Sequence, residues 1–151
     1  ATRIHEALEA GRPQTVASSC ALQTDSVSVP GRRLARLLET IPGEADAAAA
    51  LDLLRGWDGD LRADSAPAAL FEVWWTKHLK PALFARLADP AVRALLAPGD
   101  VDAIVSVLEN PDRRFSDDPA ASRNQLLLAS LAAAWRDCAE RMGPDAAEWA
   151  W

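Results

Sequence analysis

Apolar residues return every three or four positions along nearly the whole chain, and proline, glycine and capping residues mark the breaks between these runs. Ile4, Ala7 and Leu8 share one face of a short first helix that Gly11 and Pro13 end. Thr15 is placed to cap a second helix carrying Val16, Cys20 and Gln23. Ser28 caps a third, with Pro30 in its first turn, where a missing N–H costs nothing. There Leu34, Leu37, Leu38 and Ile41 take one side, and Arg32, Arg33 and Arg36 the other, until Pro42-Gly43. An alanine-rich helix is predicted from Ala45 to Trp57, with Ala47, Ala50, Leu51, Leu54 and Trp57 inward.

The stretch Arg55 to Leu79 is the most distinctive. Trp57-Asp58-Gly59-Asp60 forms an acidic turn, and Asp64 or Ser65 caps the next helix with Pro67 behind it. That helix carries Leu70, Phe71, Trp74 and Trp75 to about Leu79 and is expected to kink or break at Pro81. Asp89-Pro90 restarts a short helix to Leu96, closed by Pro98-Gly99. Asp100 caps one through Val101, Ile104, Val105 and Leu108. A polar loop is expected over 110–121. A long helix from about Ser122 to Met142 then buries Leu127, Leu131, Ala134, Trp135, Cys138 and Met142. Gly143-Pro144 stops it, and Asp145 opens a last turn holding Trp149 and Trp151. Ser26–Pro30 is the one strand candidate, and it is too short and proline-bounded to stand. The expected fold class is all-α, with about eight helices in a single domain or fragment over 1–151.

Composition supports this without naming an activity. Half of the 151 residues are hydrophobic and a quarter charged, as in ordinary globular domains. A net charge of −6 argues against nucleic acid, which needs a basic stripe. No run of about 18 apolar residues is available to span a membrane. The N-terminus has no signal-peptide pattern, and no targeting signal is read elsewhere. Cys20 and Cys138 are too few for a disulfide scaffold; each lies in an apolar helical register and is expected as a buried free thiol.

Nor do the residues assemble a catalytic set. His5 and His78 lack partners at metal-ligand spacing. Asp58, Asp60 and Asp64 form the sharpest acidic cluster, but a calcium loop needs oxygen ligands where Arg62 and Ala69 stand, so a turn and a helix cap are the favoured reading and calcium binding a weak rival. Ser18, Ser19 and Ser65 have no GxSxG setting, and no glycine-rich phosphate loop occurs. The tryptophans stand at core spacing. Catalytic, cofactor and metal residues are all expected to be none.

Three blocks together resemble the penicillin acylase (penicillin amidase) family. Arg3–Leu34 looks like the family's RIxxLL…LQxDxxS segment through Ile4, Leu8, Leu22, Gln23, Asp25 and Ser28. Leu54–Leu79 is similar to LLxxWDG…DSxAAxLFxxWxxxL through Leu54, Trp57, Asp58, Gly59, Asp64, Ser65, Ala69, Leu70, Phe71, Trp74 and Leu79. The run from Asn124, NQLLLASLAAAWRDCAERMGPDAAEWAW, looks like a helix and tryptophan turn near the end of that region. The resemblance implies an N-terminal-nucleophile amide hydrolase on a four-layer α/β/β/α core, cut from a precursor into two chains. A serine at the head of the large chain attacks the amide, and its own amino group serves as base. Backbone N–H groups and an asparagine hold the oxyanion.

The chain departs from that pattern in ways that set its expected role. Ala1 stands where a nucleophile would be sought, Asn110 and Asn124 lie in the wrong blocks for the oxyanion residue, and Arg3 belongs to the RIxxLL motif rather than to the supporting arginine before it. The resemblance therefore implies a helical fragment of the large chain, inactive alone. Its partners would be the rest of the acylase and, for the parent, a small acyl amide of the N-acylated β-lactam, acyl-homoserine lactone or lipopeptide type. No cofactor is implied. A periplasmic or secreted parent is implied, and excision would expose apolar surface and favour a homodimer. The alternative is a helical interaction module with no catalysis.

Overall fold

Side-chain caps fix most of the helix starts. Thr15, Ser28, Ser65, Asp100, Asp118 and Asp145 each accept backbone N–H groups that the first turn leaves unpaired. A computed structural model describes residues 3–11, 13–96 and 99–150. The α-helices are α1 (Arg3–Glu9), α2 (Val16–Gln23), α3 (Val29–Glu39), α4 (Ala48–Leu54), α5 (Ala66–Val73), α6 (Lys80–Leu87), α7 (Arg93–Leu96), α8 (Val101–Glu109) and α9 (Pro119–Met142). A 3-10 turn, Ala45–Ala47, leads into α4, and a π segment, Trp74–Leu79, joins α5 to α6 in one rod. Counting that rod once gives the eight helices that the periodicity predicts. Among the described residues no strand forms. Val27 makes a single antiparallel bridge to Asp60.

The rod passes Pro81 instead of stopping there. In the π segment the Lys80 N–H reaches back to the Trp75 carbonyl, five residues away. The wider turn gives the proline ring room that a regular α-turn would fill with the carbonyl four residues back. The alanine-rich helix, by contrast, ends at Leu54, three residues before Trp57, because the chain turns at Gly56 with φ +70°. The last helix begins at Pro119, earlier than Ser122, capped by Asp118. The polar stretch before it is anchored by Phe115, which is buried and whose carbonyl accepts from Arg86. Pro98 and Trp151, read as a helix stop and part of the last turn, lie outside the described residues.

The core forms where α9 lies against the α5–π–α6 rod, with α3, α4 and α8 packed around them. Trp74, Leu70, Leu79, Leu127 and Leu131 are fully enclosed. Burying each such side chain contributes about 1.5–3 kcal/mol or more. The Trp74 indole N–H donates to Ser130 Oγ at 2.9 Å, and that hydroxyl donates to the Leu127 carbonyl, so both of these buried polar side chains are paired. At the C-terminal end Trp149 packs on Trp135, with ring centroids 4.6 Å apart, and donates to the Gly143 carbonyl. Between α3 and α8, Arg33 grips both carboxylate oxygens of Glu109 and also meets Asp102.

Two expectations about burial divide here. Cys138 is enclosed, as its register predicts. Cys20 is exposed, and so are Ile4, Leu8 and Val16, at 59%, 61% and 83%. Neither α1 nor α2 buries a residue. The periodicity correctly marks an apolar face, but nothing within the described chain covers it.

Candidate functional site

The stretches around Asp25–Ser28 and Trp57–Asp60, 29 positions apart in sequence at their nearest, meet at the base of α3. The Ser28 N–H donates to the Gly59 carbonyl at 2.7 Å, and the Leu61 N–H to the Ser26 carbonyl at 3.1 Å. Ser26 Oγ donates to Asp60 Oδ1 at 2.5 Å. Gly59 is buried at φ +83°, and a Cβ there would lie 2.7 Å from the Ser28 carbonyl oxygen. Only glycine suits both the left-handed backbone and that approach. Gly31 plays the matching part on the helix, where an added Cβ would meet Ser28 Oγ and the Trp57 ring at 3.1 Å.

Ion pairs tie α1 to the same place. Arg3 donates to Asp25 Oδ2 at 2.9 Å and to Glu6, and Arg32 holds Glu6 from the other side at 2.7 Å. Asp25 Oδ1 accepts from the Val27 N–H. The Arg3 guanidinium, and then that backbone N–H, hold the Asp25 carboxyl below the usual carboxylate range. Arg32 and then Arg3 do the same for Glu6. Trp57 packs against Phe71 with ring centroids 5.1 Å apart and planes tilted by 44°, and its indole N–H is the one buried side-chain donor or acceptor without a partner among the described residues.

This node is a structural joint. Ser28 Oγ is spent on the Gly31 N–H, Ser26 on Asp60, and Asp58 on the Asp60 N–H. Asp58, Asp60 and Asp64 do not converge. Asp64 is 90% exposed, and Arg62 stands between it and Asp60. Ser65 serves as the α5 cap, and Ser18 completes the capping box with Thr15. No group of three or more His, Cys, Asp and Glu side chains could hold a metal among the described residues.

The histidines differ in their surroundings. His5 pairs with Glu9 on the exposed face of α1. His78, on the π segment, reaches α9, where its Nε2 lies 3.1 Å from Asp137 Oδ2. An ionised carboxylate only accepts, so Nε2 carries the proton. Asp137 also accepts from Arg141, and Arg141 first, then His78, lower its carboxyl from the ordinary value. Beside this pair runs an open groove of about 670 Å³ between α6 and α9, bounded by His78, Ala82, Arg86, Ser122, Ala129 and Ala133. Sequence reasoning missed Asp137 and Arg86. Asp137 lies 59 positions from His78, and the one local signal was its i,i+4 spacing to Arg141.

The chain thus offers a joint, a groove and a His–Asp pair, without an activated nucleophile and base in contact among the described residues. No helix described is long and apolar enough to cross a membrane. No curated protein matches the chain. The family model for penicillin amidase matches residues 1–151.

Proposed function

The chain belongs to the penicillin amidase family, and from that premise we propose that it is the helical part of a penicillin-acylase-like amidohydrolase whose catalytic groups lie elsewhere in the parent. Whole-chain coverage by the family carries this reading. It is supported by the way two of the stretches that resemble the family lock together through Ser28 and Gly59.

In this reading the parent splits an acyl amide bond by attack of an N-terminal serine whose amino group takes the proton. Its substrate is an N-acylated β-lactam, an acyl-homoserine lactone or a lipopeptide. The helical segment packs on the catalytic core, and the uncovered face of Ile4, Leu8 and Val16 is where α1 and α2 meet it. The parent acts outside the cytoplasm, in the periplasm or after secretion. The 151-residue chain by itself is inactive.

The test pairs two measurements. The full reading frame is expected to encode a serine preceded by a cleavage site upstream of Ala1, and its absence would sink the assignment. The purified chain is then assayed against phenylacetyl and long-chain acyl amides. Turnover that follows the chain through purification would show that the chemistry resides here.

A further inference from the structure

A second pocket, of about 400 Å³, lies where the end of the π segment and α6 face α7, and shares Ala85 with the His78 groove. Its walls are Pro81, Phe84, Ala85 and Ala94, and Thr76, Lys80 and Arg93 stand at its edge. The volume falls in the range of about 300–1,000 Å³ typical of small-molecule sites. No carboxylate lines it. We propose that this pocket binds a small carboxylate with an apolar body, the anion held by Lys80 and Arg93 and the body laid against Pro81 and Phe84.

The two cations are held in place before any ligand arrives. Arg93 donates from Nε to the Ala88 carbonyl at 3.1 Å and from Nη2 to the Ala85 carbonyl at 3.0 Å. These bonds fix the guanidinium plane and use none of its charge, for Arg93 forms no ion pair among the described residues. The Lys80 ammonium stands over the Trp75 ring, 5.4 Å from the centroid. Glu72 faces Lys80 through space from outside the pocket lining. Glu72 is itself half-buried, and burial raises its pKa. In a chain of net charge −6 this is a local excess of positive charge beside an apolar wall. A preorganised cation pair loses little freedom on binding, and an apolar wall rewards a ligand that is not hydrated along its length. A monocarboxylate with a hydrocarbon body meets both conditions, whereas a bare anion meets one.

The site is independent of the hydrolase reading, and either can fail alone. The test is calorimetric titration of the chain with decanoate, decanol and acetate, kept below micellar concentrations, with amide shifts followed by NMR. Decanoate is expected to bind one saturable site, and the shifted amides to cluster within 76–94. Decanol, which loses the charge-assisted contacts, and acetate, which loses the apolar body, should each bind at least about tenfold more weakly. Lys80→Met keeps the stem over Trp75 and should weaken decanoate by a similar factor, with only a small drop in thermal midpoint from the lost cation on the Trp75 face. Equal binding of decanol, undiminished binding to Lys80→Met, shifts centred elsewhere, or no saturable decanoate binding would each overturn the proposal.

Discussion

Gly59 supports the Ser28 carbonyl so closely that a single added carbon would stand 2.7 Å from its oxygen. Gly11 has a similar left-handed backbone, φ +64°, but open space around it. The pair separates conformational cost from contact cost. Gly11→Ala should cost about 1–2 kcal/mol, the price of left-handed backbone. Gly59→Ala should cost about 2–4 kcal/mol, because the joint must also open. Urea midpoints of the two variants measure the difference, and equal shifts would show that the contact is slack.

Asp25, in the loop before α3, holds α1 through Arg3 and should leave a signature at acid pH. Its carboxyl is held below the unfolded value near 3.9, so its contribution is complete above that value and is lost as pH falls through the folded pKa. Asp25→Asn keeps an acceptor for the Val27 N–H but removes the charge facing Arg3. Unfolding followed from pH 7 to 3 should show a shallower acid limb in this variant. Parallel curves would mean the pair is matched by solvent.

The enclosed hydrogen bond from Trp74 to Ser130 permits a third check. Ser130→Ala orphans a fully buried indole N–H, and a loss of about 1–3 kcal/mol is expected by chemical denaturation.

The two thiols should respond unequally to an aromatic disulfide reagent at pH 8. Cys20 is exposed and should react at once. Burial first, then the Asp137 charge, push the Cys138 thiol up to about 11, so it should react only as the chain unfolds. Two equivalents released from the native chain would contradict the packing of α9.

Uncovered apolar side chains on α1 and α2 should make the isolated chain self-associate. Ile4→Glu with Leu8→Glu should restore a monomer in sedimentation velocity, with little change in unfolding midpoint because neither residue is buried. A wild-type chain that remains monomeric throughout would count against an excised interface.

Most of this architecture is legible in the sequence because caps and periodicity are local. Ser28, Ser65 and Asp100 announce helix starts, and the Leu34–Leu38 and Ile104–Leu108 faces are buried as their spacing predicts. What escapes notice depends on distant partners. Periodicity shows that Ile4, Leu8 and Cys20 share an apolar register but carries no information on whether another surface meets it. The joint between Ser28 and Gly59 and the pairing of His78 with Asp137 arise only when separate segments fold together. Phe115 sits in a stretch so polar that its anchoring role has no sequence signature.

The wide turn before Pro81 also says something about chain length. The Lys80 N–H bonds the carbonyl five residues back instead of four, and Trp74 and Leu79, five positions apart, are both fully buried. The segment therefore holds one surplus residue, and removing exposed Thr76 would let an unbroken α-helix keep the same face inward. That shortened helix would place Pro81 in an ordinary interior position, at a cost of about 3 kcal/mol. The surplus residue and the proline are thus coupled: the wide turn accommodates the ring, and a chain shortened at Thr76 would need Pro81→Ala as well.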